Sequence, residues 1–312
     1  MEAWLEGLGR LGLQQVRLGE PMANHTSIRV GGPADALVEP ASVEELSRLL
    51  AFARTHAVPV RVIGAGSNLL VRDGGMTGIV AKIWKPLGEI RFAEDRGGAS
   101  GRVYAQAGAP LPKLARLASD RRLGGLEFAG GIPGTVGGAV TMNAGAHGGE
   151  TATHLIAAEL LDDRGRLHVV PKAELHFRYR HSLMHEDRSL VVVGAEFELP
   201  EDDPAAIRER MRAYAKRRKT TQPLGEPSSG SMFKNPPGDY AARLIEAAGL
   251  KGTACGGISV STLHANFMLN DGTGTAADVA ALIRRVQAEV HDRFDVELEL
   301  EVEWTGRARE ES

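Results

Sequence analysis

The segment from Gly130 to Glu150, GGIPGTVGGAVTMNAGAHGGE, holds eight glycines in twenty-one residues, and it restricts the possible folds more than any other stretch of the chain. A run so poor in side chains offers neither a helical apolar stripe nor an alternating strand, so it is expected to be neither an ordinary helix nor an ordinary strand. Glycine admits positive φ and lets backbone N–H groups come close to a flat or charged group. Ile132, Pro133, Val136, Val140 and Met142 are interleaved and serine is absent, which distinguishes the stretch from a flexible Gly/Ser spacer. The expectation is a backbone wrapped against a large ligand.

A second glycine-rich loop, Gly64-Ala65-Gly66-Ser67-Asn68-Leu69, follows a strand expected over residues 58–63. It lacks the Gly-Lys-Ser/Thr ending of a triphosphate loop, and Leu69 stands where a dinucleotide fingerprint has its last glycine. A strand-to-loop turn of this composition can still form an anion nest suited to a pyrophosphate.

The pattern around these loops is α+β. Ser42 with Glu45 three residues on predicts a helix start, followed by Leu46, Leu49, Leu50 and Phe52 at helical spacing. Strands are expected at 78–83, 90–93, 103–107, 155–161, 167–170 and 190–199, with a helix over 111–122. Asp203-Pro204 opens a helix that runs into the basic cluster Lys216-Arg217-Arg218-Lys219, which suits either the negative end of the helix dipole or a phosphate. Further helices are expected at 240–248 and 276–294, the second with Thr275 and Asp278 as a capping box, and a strand near 267–269. The closing segment 296–304 alternates strictly and predicts a strand with Val296, Leu298, Leu300, Val302 and Trp304 inward and four glutamates outward.

At 312 residues the chain is long enough for two or three domains. Its 37 basic and 40 acidic residues leave a net charge of −3, so no global field draws it to nucleic acid or an anionic membrane. The N-terminal ten residues carry no signal-peptide pattern, and no apolar run is long enough to span a bilayer. The lone Cys255 fits a reducing compartment, and no Cys/His spacing marks a metal site. A cytoplasmic protein without a metal or an obligatory protein partner is expected.

Several motifs, in order along almost the whole chain, resemble one flavoenzyme family, UDP-N-acetylenolpyruvoylglucosamine reductase. They are residues 24–32 (NHTSIRVGG), 64–71 (GAGSNLLV), 131–145 (GIPGTVGGAVTMNAG), Tyr179-Arg180, 230–236 (GSMFKNP), 264–267 (HANF) and Leu300-Glu301-Val302. The resemblance implies an FAD-binding fold of the vanillyl-alcohol oxidase type: two α+β flavin-binding subdomains and a third α+β domain for a UDP-sugar. It places subdomain 1 at 1–81, subdomain 2 at 82–202 and 296–312, and the substrate domain at 203–295.

The implied activity is reduction of the enolpyruvyl ether of UDP-N-acetylglucosamine, with FAD as cofactor and NADPH as hydride donor. The implied catalytic residues are Arg180, to meet negative charge on the substrate carboxylate; Ser231, to deliver a proton; and Glu301, beside Arg180. Periodicity alone does not separate Glu301 from Glu297, Glu299 or Glu303. FAD would lie on Gly64, Ala65, Gly66, Ser67, Asn68 and Leu69, and on Gly130, Gly131, Ile132, Pro133, Gly134, Gly137, Gly138, Ala139, Asn143 and Gly145. Substrate would meet Tyr179, His147, Lys219, Lys234, Asn235 and Lys251. The short interval between Leu199 and Gln222 lacks the insertion that carries a substrate-covering tyrosine in one subgroup, so the chain resembles the shorter subgroup. Two other classes compete. An FAD-dependent alcohol oxidase of the same fold would lack the Ser231 loop, and a non-catalytic flavin carrier would not be reoxidised by substrate.

Overall fold

A computed structural model describes residues 3–93 and 100–308. The chain divides into two compact units, each built from discontinuous pieces: Met1–Arg17, Ala36–Ala65 and Gly78–Arg217 form the first, and Leu18–Asp35, Gly66–Thr77 and Arg218–Ser312 the second.

The first unit is organised on a five-stranded antiparallel sheet, in the order Leu167–Pro171, Leu155–Leu161, Val191–Pro200, Ser100–Gln106, Ile90–Phe92. The central strand is apolar along most of its length, and Ala195 and Phe197 sit opposite Ala105 and Val103. Helix Leu111–Ser119 buries Leu111, Leu114, Ala115 and Ala118, one stripe at spacings of three and four. Helix Val43–Thr55 starts as expected: Ser42 Oγ accepts from Glu45 N (3.2 Å), while the Glu45 carboxylate reaches one residue further back, to Ala41 N (2.9 Å). Strand Val60–Ile63 pairs in parallel with strand Met76–Lys82, from Val60 opposite Ile79 to Ile63 opposite Lys82.

The glycine-rich segment departs from expectation, because Val136–Met142 is an α-helix. Thr135 caps it by accepting from Gly138 N (3.3 Å), and Asn143 ends it in the left-handed conformation. What overrides low helix propensity is packing. Val136, Ala139 and Val140 are buried, and Gly137 lies so close to Ala107 that an added Cβ would stand 2.8 Å from the Ala107 Cβ.

In the second unit, helices Ala241–Ala247 and Ala276–Phe294 pack together, and the longer one also contacts strands of a three-stranded antiparallel sheet, Ala254–Cys255, Ile258–Val260 and Met268–Asn270. Helix Ala276–Phe294 has the expected capping box, with Thr275 N to Asp278 Oδ2 (2.9 Å) and Asp278 N to Thr275 Oγ1 (3.1 Å). A second acid reinforces it: Asp73 accepts from Ala276 N (2.9 Å) and Ala277 N (2.8 Å). Ile28, Val30 and Leu70 share a core with Phe233, Leu244, Val279 and Leu282.

The closing segment is also corrected. Its burial alternates only in part, with Leu298 and Val302 buried and Glu297 and Glu299 exposed but Glu301 and Glu303 half-buried, and only Glu303–Thr305 forms a strand, parallel to Leu69–Val71. The residues before it spend their backbone groups on the loop around Ser231: Lys234 N donates to Glu299 O (2.8 Å) and Glu301 N to Met232 O (2.9 Å).

Candidate active site

The first unit gathers the second glycine stretch, Arg180 and His147. Residues Arg178 to His181 form a tight turn closed by Arg178 N to His181 O (3.2 Å) and His181 N to Arg178 O (3.1 Å). Arg180 within it has φ 54°, a conformation that non-glycine residues hold only where surroundings impose it. The fully buried Asn143 donates Nδ2 to Arg178 O (3.2 Å) and accepts Ala152 N at Oδ1 (3.0 Å), so its side chain acts as a brace for this turn. Arg180 Nη2 donates to Gly145 O (2.9 Å), and its guanidinium lies 4.9 Å from the ring centroid of Tyr179, which is 48% exposed.

His147, also at positive φ, stacks face to face on Tyr214 of helix Pro204–Thr221, with centroids 4.3 Å apart and planes 3° from parallel. Tyr214 escaped the sequence reading because an aromatic inside a basic helix reads as surface. Gly64, from the first glycine loop, lies against Thr135, where an added Cβ would stand 2.5 Å from its hydroxyl. The two glycine segments therefore meet.

The second unit gathers the rest of the first glycine loop, the Ser231 loop and Glu301. Ser27 links the first two: its N–H donates to Gly66 O (3.1 Å), and its hydroxyl donates to Ser228 O (2.6 Å) and lies 3.4 Å from Ser67 O. Gly66 has φ 69°, and a Cβ there would collide with His25 O at 1.8 Å. Asn68 ties the same loop to the chain terminus, donating Nδ2 to Glu301 O (3.1 Å) and accepting Glu303 N (2.8 Å). Leu69 is buried at the start of its strand.

Ser231 is half-buried, preceded by Gly230 at φ 76° and followed by the buried pair Met232 and Phe233. Asn266, of the HANF motif, holds this pair. Its carbonyl accepts from Met232 N (2.8 Å), its Oδ1 accepts from Phe233 N (2.9 Å), and its Nδ2 donates to Phe233 O (2.8 Å). The motif thus fixes the backbone from which the Ser231 side chain projects.

The basic candidates are less concentrated. Lys219 is exposed on the last turn of its helix, Lys234 pairs with Glu299 (3.2 Å), and Lys251 pairs with Glu246 (2.6 Å). Such exposed pairs are weak and would yield to a diphosphate. Asn235 Oδ1 accepts from Ala241 N (3.1 Å) and so caps the following helix. In the same basic cluster, burial lowers the pKa of the Arg218 guanidinium, marking a desolvated cation that composition alone does not distinguish. Burial likewise pushes His264 down, favouring a neutral imidazole, and among the described residues its Nδ1, Ser229 Oγ and Gln222 Oε1 are buried without a hydrogen-bond partner. With Trp304 Nε1, four orphaned polar atoms lie in one unit and suit a polar ligand.

Comparison with known proteins agrees with this geometry. A model of an FAD-binding domain matches residues 34–170, and one of the UDP-N-acetylenolpyruvoylglucosamine reductase C-terminal domain matches residues 222–305. The reductase of Moorella thermoacetica is 48% identical over 294 residues, covering 94% of each chain. The chain belongs to the UDP-N-acetylenolpyruvoylglucosamine reductase family. The Rubrobacter xylanophilus member is 46% identical over 93% of this chain and 95% of its own. The crystal structure of the Thermus caldophilus member superposes with a TM-score of 0.77 at 38% identity, covering 93% of this chain and 98% of that one. The fold is thus the α+β flavin-binding fold of that family, and its cofactor is FAD. The glycine stretch fits such a group: Gly131, Pro133 and Gly138 are exposed, and a Cβ on Gly138 would have no neighbour closer than 3.6 Å, leaving open a flat surface that side chains would otherwise fill.

Proposed function

We propose that this chain reduces UDP-N-acetylglucosamine enolpyruvyl ether to UDP-N-acetylmuramate, with NADPH as reductant. The observation that carries the reading is identity near one half across 94% of both chains, with Arg180, Ser231 and Glu301 each in its family motif. The two glycine segments would hold FAD, which would supply a hydride taken from NADPH. The vinyl ether is conjugated to a carboxylate, so hydride addition at its terminal CH₂ leaves a methyl group and places negative charge on the enolate carboxylate. Arg180 meets that charge with the planar donor fork of its guanidinium, already oriented by its turn. Ser231 donates its hydroxyl proton to the α-carbon, completing the addition of one hydride and one proton, and recovers a proton from solvent. Glu301 is assigned a part in the same step by the Leu300-Glu301-Val302 motif that carries it.

Tyr179 and His147, the latter backed by Tyr214, line the substrate side of the first unit. Lys219, Lys234, Asn235 and Lys251 are candidates for the nucleotide and its diphosphate. The alcohol-oxidase alternative is disfavoured because the match over 222–305 includes the Ser231 loop. Among the described residues no helix is long and apolar enough to cross a membrane, and we place the reaction in the cytoplasm on a free UDP-sugar, without an obligatory partner chain.

The test is stopped-flow absorbance of the flavin in Ser231→Ala. NADPH should reduce it at the wild-type rate, whereas reoxidation by the enolpyruvyl substrate should slow by about 10²–10⁴-fold, the contribution expected of a positioned acid. Equal slowing of both halves would remove Ser231 from the proton-transfer step.

A further inference from the structure

We propose that Glu186 is a positioning residue for Arg180, which it never touches; the inference rests on the role given to Arg180 above. Arg180 adopts a left-handed backbone conformation in the turn Arg178–His181, and such a conformation persists only where contacts over-determine it. One set of contacts comes from the end of helix Val136–Met142. Asn143 Nδ2 donates to Arg178 O (3.2 Å), and Ser182 Oγ donates to Thr141 O (2.5 Å).

The other set converges on one carboxylate. Glu186 is the last residue of the short helix Leu183–Glu186. Its Oε1 accepts from Arg178 Nη2 (2.7 Å) and faces His181 Nε2 (2.9 Å), while its Oε2 faces His176 Nδ1 (2.8 Å). Arg178 and His181 are the two residues whose backbones close the turn, so Glu186 ties both of its ends together through their side chains. The hydrogen bonds from His181 and His176 hold its carboxyl down at about 2, so it remains an ionised acceptor through the physiological range.

The network is too exposed to contribute much to global stability, with Glu186 at 38% and Arg178 at 67% side-chain exposure. Its consequence is local: it sets where the turn points its third residue. Loss of Glu186 leaves the Arg178 and His181 side chains only their contact with each other (Nη2 to Nε2, 2.7 Å), the turn relaxes, and the Arg180 guanidinium drifts from the position where enolate charge develops.

The experiment uses FAD-loaded enzyme carrying Glu186→Ala or Glu186→Gln, each with and without Arg180→Ala, and measures the two half-reactions separately. In Glu186→Ala, reduction by NADPH should be unchanged, and reoxidation by the enolpyruvyl substrate should slow by about 10- to 100-fold, as displacement of a charge-stabilising group by roughly 1 Å would cause. Glu186→Gln, which keeps an acceptor for Arg178, should recover part of this loss. With Arg180→Ala already present, Glu186→Ala should add no more than about twofold, because residues acting through one another are not additive. A second measurement needs no turnover: amide hydrogen exchange at Arg178 and His181 should be faster in Glu186→Ala than in wild type. Full additivity with Arg180→Ala, equal slowing of both half-reactions, loss of flavin from Glu186→Ala, or unchanged exchange would each overturn the inference. Wild-type enzyme that the enolpyruvyl substrate fails to reoxidise would instead overturn the functional reading on which it rests.

Discussion

Replacing Asn266 with alanine tests whether the HANF motif serves as the clamp of the Ser231 loop. The side chain is 3% exposed and makes two hydrogen bonds to one residue, accepting Phe233 N at 2.9 Å and donating to Phe233 O at 2.8 Å. Phe233 is itself buried, so no solvent replaces the lost partners. Each buried backbone group left unsatisfied costs about 1–3 kcal/mol, so Asn266→Ala should lose about 2–6 kcal/mol, before any penalty for the small cavity. Asn266→Asp keeps the acceptor for Phe233 N but sets a carboxylate oxygen against the Phe233 carbonyl, so it should also destabilise. Urea unfolding followed by circular dichroism reads this as a lower midpoint with an unchanged slope. The same variants should reoxidise slowly with substrate, because the backbone two residues after Ser231 is no longer held. A loss below about 1 kcal/mol in both variants would show that the Phe233 groups are satisfied without Asn266, and the clamp would be refuted.

Two further outcomes follow from the geometry. Gly137→Ala drives a methyl into Ala107 and should destabilise the first unit, whereas Gly138→Ala brings its methyl no closer than 3.6 Å to Thr135 Oγ1 and should not lower the melting temperature of the apoprotein while weakening FAD binding; calorimetry of apoprotein and flavin titration separate the two effects. Asp239 is held down at about 2 by its hydrogen bond from Arg243 and then by that from Tyr240 N. Because its folded pKa lies below the ordinary 3.8, its contribution to stability is complete above pH 3.8 and is lost as pH falls toward 2, so Asp239→Asn should flatten the stability profile only in that window.

Much of the architecture was legible because local signals agreed with the final packing. Helix Ala276–Phe294 carries its own capping box and stripe, and strand Val191–Pro200 opens on its own β-branched run, Val191 to Val193. Helix Val136–Met142 was not legible, because its stability comes from contacts of Gly137 and Val140 with distant residues rather than from propensity. The segment 296–302 has strand periodicity, yet its backbone partners belong to an irregular loop, and no periodicity announces that. At the site, motif order pointed to Arg180, Ser231 and Glu301. The residues that hold them, Asn266 and Ser27 by hydrogen bonds to loop backbone and Asn143 by a bond to Arg178 O, work through side-chain contacts with distant backbone that a linear reading cannot assign.

The interleaving of the two units has a consequence for synthesis on the ribosome. Ile28, Val30 and Leu70 emerge early, but the residues that bury them, including Phe233, Leu244 and Val279, emerge only after the whole of the first unit has been made. Throughout that interval these three side chains lack the later residues of their core, and the nascent chain carries them as an exposed apolar surface. A chain cut after Arg217 would keep this surface permanently, so the boundary between the units is not a place where the protein can be divided into two soluble halves.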